Sequence, residues 1–115
     1  MKIEKSLMSG STTMLILGLL KSGDMYGYQM IEELESRSQN VFTLKAGTLY
    51  PILHTLEQQG MIESYDAEID SVRPRKYYRI TKNGKKLFEE KKDGWTAYAS
   101  AVNQVLGGLN YAIGQ

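Results

Sequence analysis

The 115-residue sequence has no cysteine and a single histidine, His54. Without thiols the chain cannot form disulfide bonds, thiolate metal sites or a cysteine nucleophile, and one imidazole cannot build a histidine cluster around a metal ion. We therefore expect no metal, no cofactor and no catalytic group. The lack of cysteine is consistent with a reducing compartment, and we expect a cytoplasmic protein.

Long apolar runs are also missing. The longest, over residues 14–20, has about seven residues, whereas a membrane-spanning helix needs about 20. Glu4 and the polar residues 9–13 do not fit a secretory signal peptide. The chain length and the 42% hydrophobic content instead favour one globular core with no membrane partner.

An excess of charge of either sign is absent, because the formal net charge is only +1. The two signs are nevertheless segregated: residues 24–70 hold most of the carboxylates, and residues 73–92 hold most of the lysines and arginines. Such a basic segment is typical of phosphate binding. An ordinary solvated surface is the alternative interpretation.

Three helices are predicted from periodicity in the first half of the chain. The first helix, residues 12–22, is apolar almost all round. The second begins with Asp24 as its capping residue and runs to about residue 38, and the third, residues 46–59, carries a leucine stripe. Pro51 favours a start of the third helix near Thr48, and Gly60 ends it. The predicted core positions of the second and third helices are Met30, Ile31, Leu34, Leu49, Leu53 and Leu56.

Two stretches rich in β-branched and aromatic residues, 61–65 and 76–80, flank a polar segment and predict a β-hairpin. Alternation places Tyr78 in the core with Ile80 and leaves Tyr77 on the outer side. Three helices followed by a hairpin is the order of a winged helix-turn-helix. We therefore predict an α+β, mainly α fold.

A long last helix is predicted to begin after the capping residue Thr81. Its apolar positions recur every three or four residues from Leu87 to Leu109, which is typical of helices that pair. At 1.5 Å per residue the helix runs roughly 40 Å, longer than a small domain is wide. We predict a homodimer through this helix, with a flexible arm over 1–10, a DNA-binding domain over 11–81 and a dimerisation helix over 82–115.

Candidate DNA contacts lie on the third helix and on the hairpin. In this fold a helix enters the major groove and the hairpin, or wing, follows the phosphates. A solvated surface would have a similar composition, and Tyr77 either touches DNA or only covers the sheet. The predicted contacts are Lys45, Thr48, Tyr50, Pro51, His54, Thr55, Arg73, Arg75, Lys76, Tyr77 and Arg79.

Trp95 lies in the middle of the stripe of the last helix. It either fills the dimer core or, with its symmetry mate, forms flat walls that admit a planar apolar effector. Met8 and Met14 would add adaptable walls, and Tyr98 and Ala99 lie about one turn from Trp95. These five residues are the candidate effector site.

The motifs resemble those of the PadR family of transcriptional regulators. They are Tyr26-Gly27-Tyr28, the segments 47–53 and 75–81, Gly60-Met61-Ile62 and Gly84. The resemblance covers residues 12–90 and implies a dimeric repressor of a roughly palindromic operator. The single helix after the wing is similar to the smaller subgroup of that family, which implies binding of hydrophobic aromatic drugs at the dimer centre.

Two alternatives to a DNA-binding repressor belong to other classes. The first is a winged-helix module that binds a protein, in which the basic hairpin is only a solvated surface. The second is an enzyme, which the residues do not support. Salt dependence separates the first alternative from DNA binding, because phosphate contacts release counterions.

Overall fold

The computed structural model describes residues 3–68 and 74–107. The helices and strands follow in the order α1 Lys5–Ser9, α2 Thr12–Ser22, β1 Met25–Tyr26, α3 Gly27–Arg37, α4 Ala46–Gln58, β2 Ile62–Ala67, β3 Arg75–Ile80 and α5 Lys82–Val105. The strands form an antiparallel sheet in the order β1-β3-β2. This architecture confirms the predicted winged helix with a long helix after the wing.

The core is built around α2. Ile16, Leu17 and Leu20 of this helix are fully buried, because α2 contacts α3, α5 and β3. This explains why its apolar residues almost encircle the helix. Predicted core residues Met30, Leu34, Leu49, Leu53 and Leu56 are buried as well, while Ile31 is partly buried against the cluster.

The sheet places alternate residues on opposite faces. Tyr78 and Ile80 of β3 are 5% and 7% exposed and pack on the helices, as the alternation predicts. Tyr78 lies opposite Met25 of β1 and Ser64 of β2, and Tyr77 lies opposite Tyr26 and Tyr65. The outer face of the sheet therefore carries three tyrosines side by side.

The predicted starts of two helices are wrong. Residues 25–26 pair with β3, so α3 begins at Gly27, and Asp24 is not its N-cap. The carboxylate of Asp24 instead accepts a 2.6 Å hydrogen bond from the Tyr65 hydroxyl. Helix α4 begins at Ala46 and includes Pro51 in its second turn, rather than starting near Thr48.

The end of α4 is joined to the start of α5. Gly60 has a φ of +78°, and the Met61 N–H bonds to the Leu56 carbonyl at 2.9 Å, which closes α4 in a Schellman turn. The Thr81 hydroxyl donates toward the carbonyls of Gly60 and Met61 at 2.7 and 2.9 Å and accepts a bond from the Gly84 N–H at 3.0 Å. Thr81 thus caps α5, as predicted.

The second half of α5 extends away from the winged-helix core. Tyr98, Val105 and Leu106 are 68%, 84% and 69% exposed, although they belong to its apolar stripe. Leu109, where the predicted stripe ends, lies outside the described residues. Residues 5–9, within the predicted arm, form the short helix α1. Within residues 3–68 and 74–107, no helix is long and apolar enough to cross a membrane.

Candidate nucleic-acid interface

Helix α4 is the second helix of the helix-turn-helix unit, and we call it the recognition helix. Its leucine stripe is buried, so Thr48, Pro51, His54 and Thr55 are exposed, and Lys45 is its N-cap residue. The Thr55 hydroxyl donates a 3.1 Å hydrogen bond to the Pro51 carbonyl. The predicted contacts on this helix thus lie outside the core.

A cleft of about 490 Å³ separates the recognition helix from β3, and we call it the wing cleft. It brings together Tyr50, Arg75 and Lys76 of the predicted site. Arg75 and Lys76 are exposed and make no ion pair with the carboxylates of the described residues. The full lining is Tyr26, Gly27, Tyr28, Tyr50, Pro74, Arg75, Lys76 and Tyr78.

Hydroxyl groups supply the other polar atoms of the wing cleft. Burial raises the pKa of Tyr78 above its ordinary value, and nearby Tyr50 and Glu57 add to the rise. Like any tyrosine near neutral pH, Tyr78 keeps its proton and can donate a hydrogen bond. Together with the cations, these groups are the types that bind phosphate and sugar in protein–DNA interfaces.

Tyr28 belongs to the wing cleft, although it is not among the predicted DNA contacts. Its side chain is 63% exposed in the first turn of α3. In the sequence, the signal for Tyr28 is its place in the Tyr26-Gly27-Tyr28 motif, where an aromatic residue lies on each side of a glycine.

The outer face of the sheet forms an aromatic ladder of Tyr26, Tyr77 and Tyr65. Tyr77 packs edge-on against Tyr26 with ring centroids 5.5 Å apart and stacks on Tyr65 at 5.8 Å. The guanidinium of Arg75 lies 4.4 Å from the Tyr26 ring centre. Tyr77 thus packs between two other rings, its contact with DNA stays a prediction, and the ladder supports Arg75 at the edge of the wing cleft.

Arg79 is engaged within the chain. Its Nε lies 2.8 Å from Glu63, and its Nη1 lies 4.0 Å from Asp24. The hydrogen bond to Glu63 raises the pKa of Arg79. The hydrogen bond that the Tyr65 hydroxyl donates to Asp24 raises the pKa of that hydroxyl. Much of the charge of Arg79 is thus compensated, whereas Arg75 makes no ion pair with a carboxylate of residues 3–68 and 74–107. Arg73 lies outside the described residues.

A second cleft lies on the other flank of the recognition helix, toward α5, and has a volume of about 470 Å³. We call it the α5 cleft. Lys91 of α5 and Pro51 and Thr55 of the recognition helix are on its walls. The full lining is Thr13, Pro51, Ile52, Thr55, Leu56, Gln59, Leu87 and Lys91.

An apolar groove of about 720 Å³ runs between α2, α3 and α5. It brings together Met14 and Trp95 of the candidate effector site. Met8 packs on the core cluster, and neither Met8, Tyr98 nor Ala99 lines the groove. The full lining is Ser11, Met14, Leu15, Gly18, Leu19, Leu34, Arg37, Ser38, Phe42, Phe88, Lys92, Trp95 and Thr96.

Comparisons with known proteins point to one family. The model of the Transcriptional regulator PadR-like family matches residues 16–90. The transcriptional regulator Rv3488 of Mycobacterium tuberculosis is 31% identical over 99 residues, which cover 86% of each chain. This similarity extends beyond the wing into α5.

Solved structures give the same result. A transcriptional regulator from Clostridium thermocellum has a TM-score of 0.80 at 32% identity, over 87% of this chain and 97% of that chain. A PadR family transcription regulator from Clostridium difficile has a TM-score of 0.71 at 35% identity, over 84% and 98%. The similarity therefore includes the fold, most of this chain and nearly the whole length of the two solved structures.

Proposed function

The chain belongs to the PadR-like family of transcriptional regulators, and we propose that it is a homodimeric repressor that binds a roughly palindromic operator. The recognition helix enters the major groove, and the wing follows the phosphates. Binding to chromosomal DNA places the protein in the cytoplasm. The role is one of binding rather than catalysis.

One observation carries the proposal: the wing cleft joins Tyr50 of the recognition helix to Arg75 and Lys76 of the wing. Two cations without an ion pair to the described carboxylates lie beside the helix that reads bases. Arg75 is also supported by the Tyr26 ring at 4.4 Å. A phosphate in this cleft would meet groups already held in place.

Salt titration tests the phosphate contact. The affinity for a labelled duplex of about 30 base pairs, long enough for two half-sites, is measured by anisotropy from about 50 to about 200 mM salt. Arg75→Ala should reduce the slope of log affinity against log salt by about 0.9 per protomer, and Lys85→Ala, on the exposed side of α5, is the matched control. An unchanged slope for Arg75→Ala rejects the role of the wing.

Base reading is tested separately. Thr48→Ala should change the ranking of DNA sequences selected from a random pool without changing the salt slope, because the hydroxyl carries no charge. If native protein shows no salt-dependent DNA binding at all, the winged helix is instead a protein-binding module, and its basic wing is only a solvated surface.

The dimer is proposed to form through α5. Regulators of this family bind DNA and typically act as dimers. In the single chain, Tyr98, Val105 and Leu106 of α5 expose most of their surface, and the apolar groove lies on the same helix. Pairing α5 with a second copy would cover both.

The apolar groove is the proposed effector site, in the manner of the smaller, drug-binding subgroup of the family. Trp95 and Met14 share this groove with Phe42 and Phe88, and Arg37 and Lys92 are the charged residues of its lining. An effector here would touch α2, α3 and α5 at once. It regulates only if it prefers one spacing of the two recognition helices.

Trp95 is the only tryptophan, so its fluorescence reports this site alone. In the proposed dimer the two grooves meet at the twofold axis, so a planar aromatic ligand of about 25 heavy atoms held between the two Trp95 rings should quench the fluorescence with one ligand per dimer. Its Kd should be near micromolar, at roughly 0.3 kcal/mol per atom. The probes are an aromatic cationic dye and an aromatic carboxylate of equal size, because Arg37 and Lys92 line the groove.

The variant Trp95→Ala separates the effector site from a sealed core. It should lose binding of the probe, measured by calorimetry, and keep operator affinity within a few-fold. If neither probe quenches the native protein and Trp95→Ala dissociates the dimer, Trp95 fills the core and the effector site is rejected.

A further inference from the structure

We infer that the α5 cleft holds a second stretch of the DNA backbone, with Lys91 as its phosphate contact. The inference rests on the proposed function, because it adds a contact to the same DNA interface. It assigns a role in DNA binding to the helix that otherwise serves dimerisation. Lys91 was part of the basic segment but was not among the predicted DNA contacts.

The two clefts lie on opposite flanks of the recognition helix. Tyr50 lines the wing cleft, whereas Pro51, Thr55 and Gln59 line the α5 cleft. A helix in the major groove has one sugar-phosphate strand along each flank, because the groove is about 12 Å wide and an α-helix with its side chains is about 10–12 Å across. Each strand therefore meets one cleft.

The chemistry of the α5 cleft fits a phosphate strand. Lys91 is exposed and makes no ion pair with any carboxylate of residues 3–68 and 74–107. Thr13 and Gln59 add a hydroxyl and an amide, and no carboxylate is among the lining residues. Ammonium, hydroxyl and amide groups are the usual phosphate contacts in protein–DNA interfaces.

The position of Lys91 relative to the recognition helix is fixed by the joint at Thr81. The Thr81 hydroxyl bonds to the carbonyls of Gly60 and Met61, directly after the recognition helix. Leu87 packs against the core between this joint and Lys91. The ammonium group is therefore carried by a helix that is anchored to the base-reading element itself.

Lys91→Gln tests the inference on the full-length protein with the duplex of about 30 base pairs. The slope of log affinity against log salt should fall by about 0.9 per protomer, and Lys91→Arg should keep the native slope. Combined with Arg75→Ala, the reductions should add, because the two cations contact different strands.

Lys82→Gln is the matched control. Lys82 is an exposed lysine of the same helix, nine residues or two and a half turns before Lys91, and so on the opposite side. It should keep the native slope. If Lys91→Gln keeps the native slope while Arg75→Ala reduces it, the α5 cleft does not hold DNA, although the proposed DNA-binding function stands. An equal reduction of the slope for Lys82→Gln also rejects the Lys91 contact, because the slope then depends on the total charge of the protein and not on a phosphate contact at Lys91. If the DNA affinity of the native protein does not depend on salt concentration, the proposed function itself is rejected.

Discussion

Gly27 touches the ring of Tyr50 at the inner wall of the wing cleft. A Cβ at Gly27 would overlap the Tyr50 hydroxyl and lie 2.6 Å from its Cζ, closer than real Cβ contacts allow. The absence of a side chain therefore lets α3 and the recognition helix approach. It also sets where the Tyr50 hydroxyl lies in the cleft.

Gly27→Ala should displace the Tyr50 ring and lower DNA affinity. The free energy of unfolding should stay within about 1 kcal/mol of native, because the displaced atoms are the far end of a side chain that is 45% exposed. Gly47→Ala is the control for stability, because nothing lies within 4 Å of a Cβ there. It should stabilise the helix by up to about 1 kcal/mol. Chemical denaturation and anisotropy measure the two effects, and a Gly27→Ala protein with native DNA affinity would contradict the role of this contact.

Gln39 and Asn40 are non-glycine residues with positive φ, at 53° and 66°. They reverse the chain after α3, where the Asn40 N–H bonds to the Glu35 carbonyl at 2.8 Å. A left-handed conformation costs an ordinary residue roughly 1–2 kcal/mol. The cost is tolerated because this turn leads the chain from α3 to the recognition helix.

Gln39→Gly should therefore raise the free energy of unfolding, by up to about 1 kcal/mol. The same substitution at Ser36, inside α3, should lower it by roughly 0.5–1 kcal/mol. Urea titrations of both variants give the comparison. A Gln39→Gly protein less stable than native would show that the backbone there is not strained.

At the scale of elements, an ion pair ties α5 to α2. Lys21 Nζ lies 2.7 Å from Glu89 Oε2, and Lys21 and Lys92 also lie 5.3 and 6.0 Å from the Phe88 ring centre. The hydrogen bond from Lys21 lowers the pKa of Glu89. The folded state thus favours the carboxylate.

The pKa of Glu89 is lower in the folded state than in the unfolded state. The ion pair with Lys21 therefore stabilises the fold at a pH above the ordinary glutamate pKa, and this stabilisation is lost as the pH falls through the folded-state pKa. At pH 7 Glu89→Gln should melt at a lower temperature than native. The difference should vanish in acid, below about pH 4.5. Glu90→Gln, which makes no ion pair within the described residues, should show no such convergence in thermal melts.

Periodicity predicted the helices and the hairpin because those patterns are local. The ends of α2 and the capping role of Thr81 follow from nearby residues. Strand β1 was not predicted, since Met25 and Tyr26 acquire their partners some 50 residues later in β3. Pro51 suggested a later start for the recognition helix, but the helix tolerates it in the second turn.

The candidate site was predicted less completely. The charge of the wing and the exposed face of the recognition helix were visible in the sequence. The ion pairs of Arg79 with Glu63 and Asp24 were not, because they join three separate segments. For the same reason Tyr28 and Lys91 were missed: each reaches its cleft only through tertiary packing.

The whole molecule is elongated, with principal extents of 58 × 29 × 22 Å over the described residues. The long dimension reflects α5, whose second half carries exposed apolar side chains. Such a surface is unfavourable in water unless a partner covers it. This is why we propose the dimer as the functional unit.

Val105→Asp should convert the dimer to a monomer while leaving the winged helix folded, because Val105 is 84% exposed in the single chain and supports no contact in its core. Sedimentation velocity gives the mass, and circular dichroism checks the fold. Gln104→Asp, a neighbouring exposed position outside the apolar stripe, is the control. A Val105→Asp protein that sediments as a dimer would contradict pairing through this end of α5.

The hydrogen bonds of Thr81 connect the start of α5 to the end of the recognition helix. The helix is about 36 Å long at 1.5 Å per residue, and its near end is fixed to the carbonyls that follow the recognition helix. If two copies pair through the far end of α5, as we propose, a change of about 5° in their crossing angle moves the near end of the helix by roughly 3 Å. In the proposed dimer, small changes in how the two copies cross would therefore alter the spacing and tilt of the two recognition helices, without any change inside either winged helix.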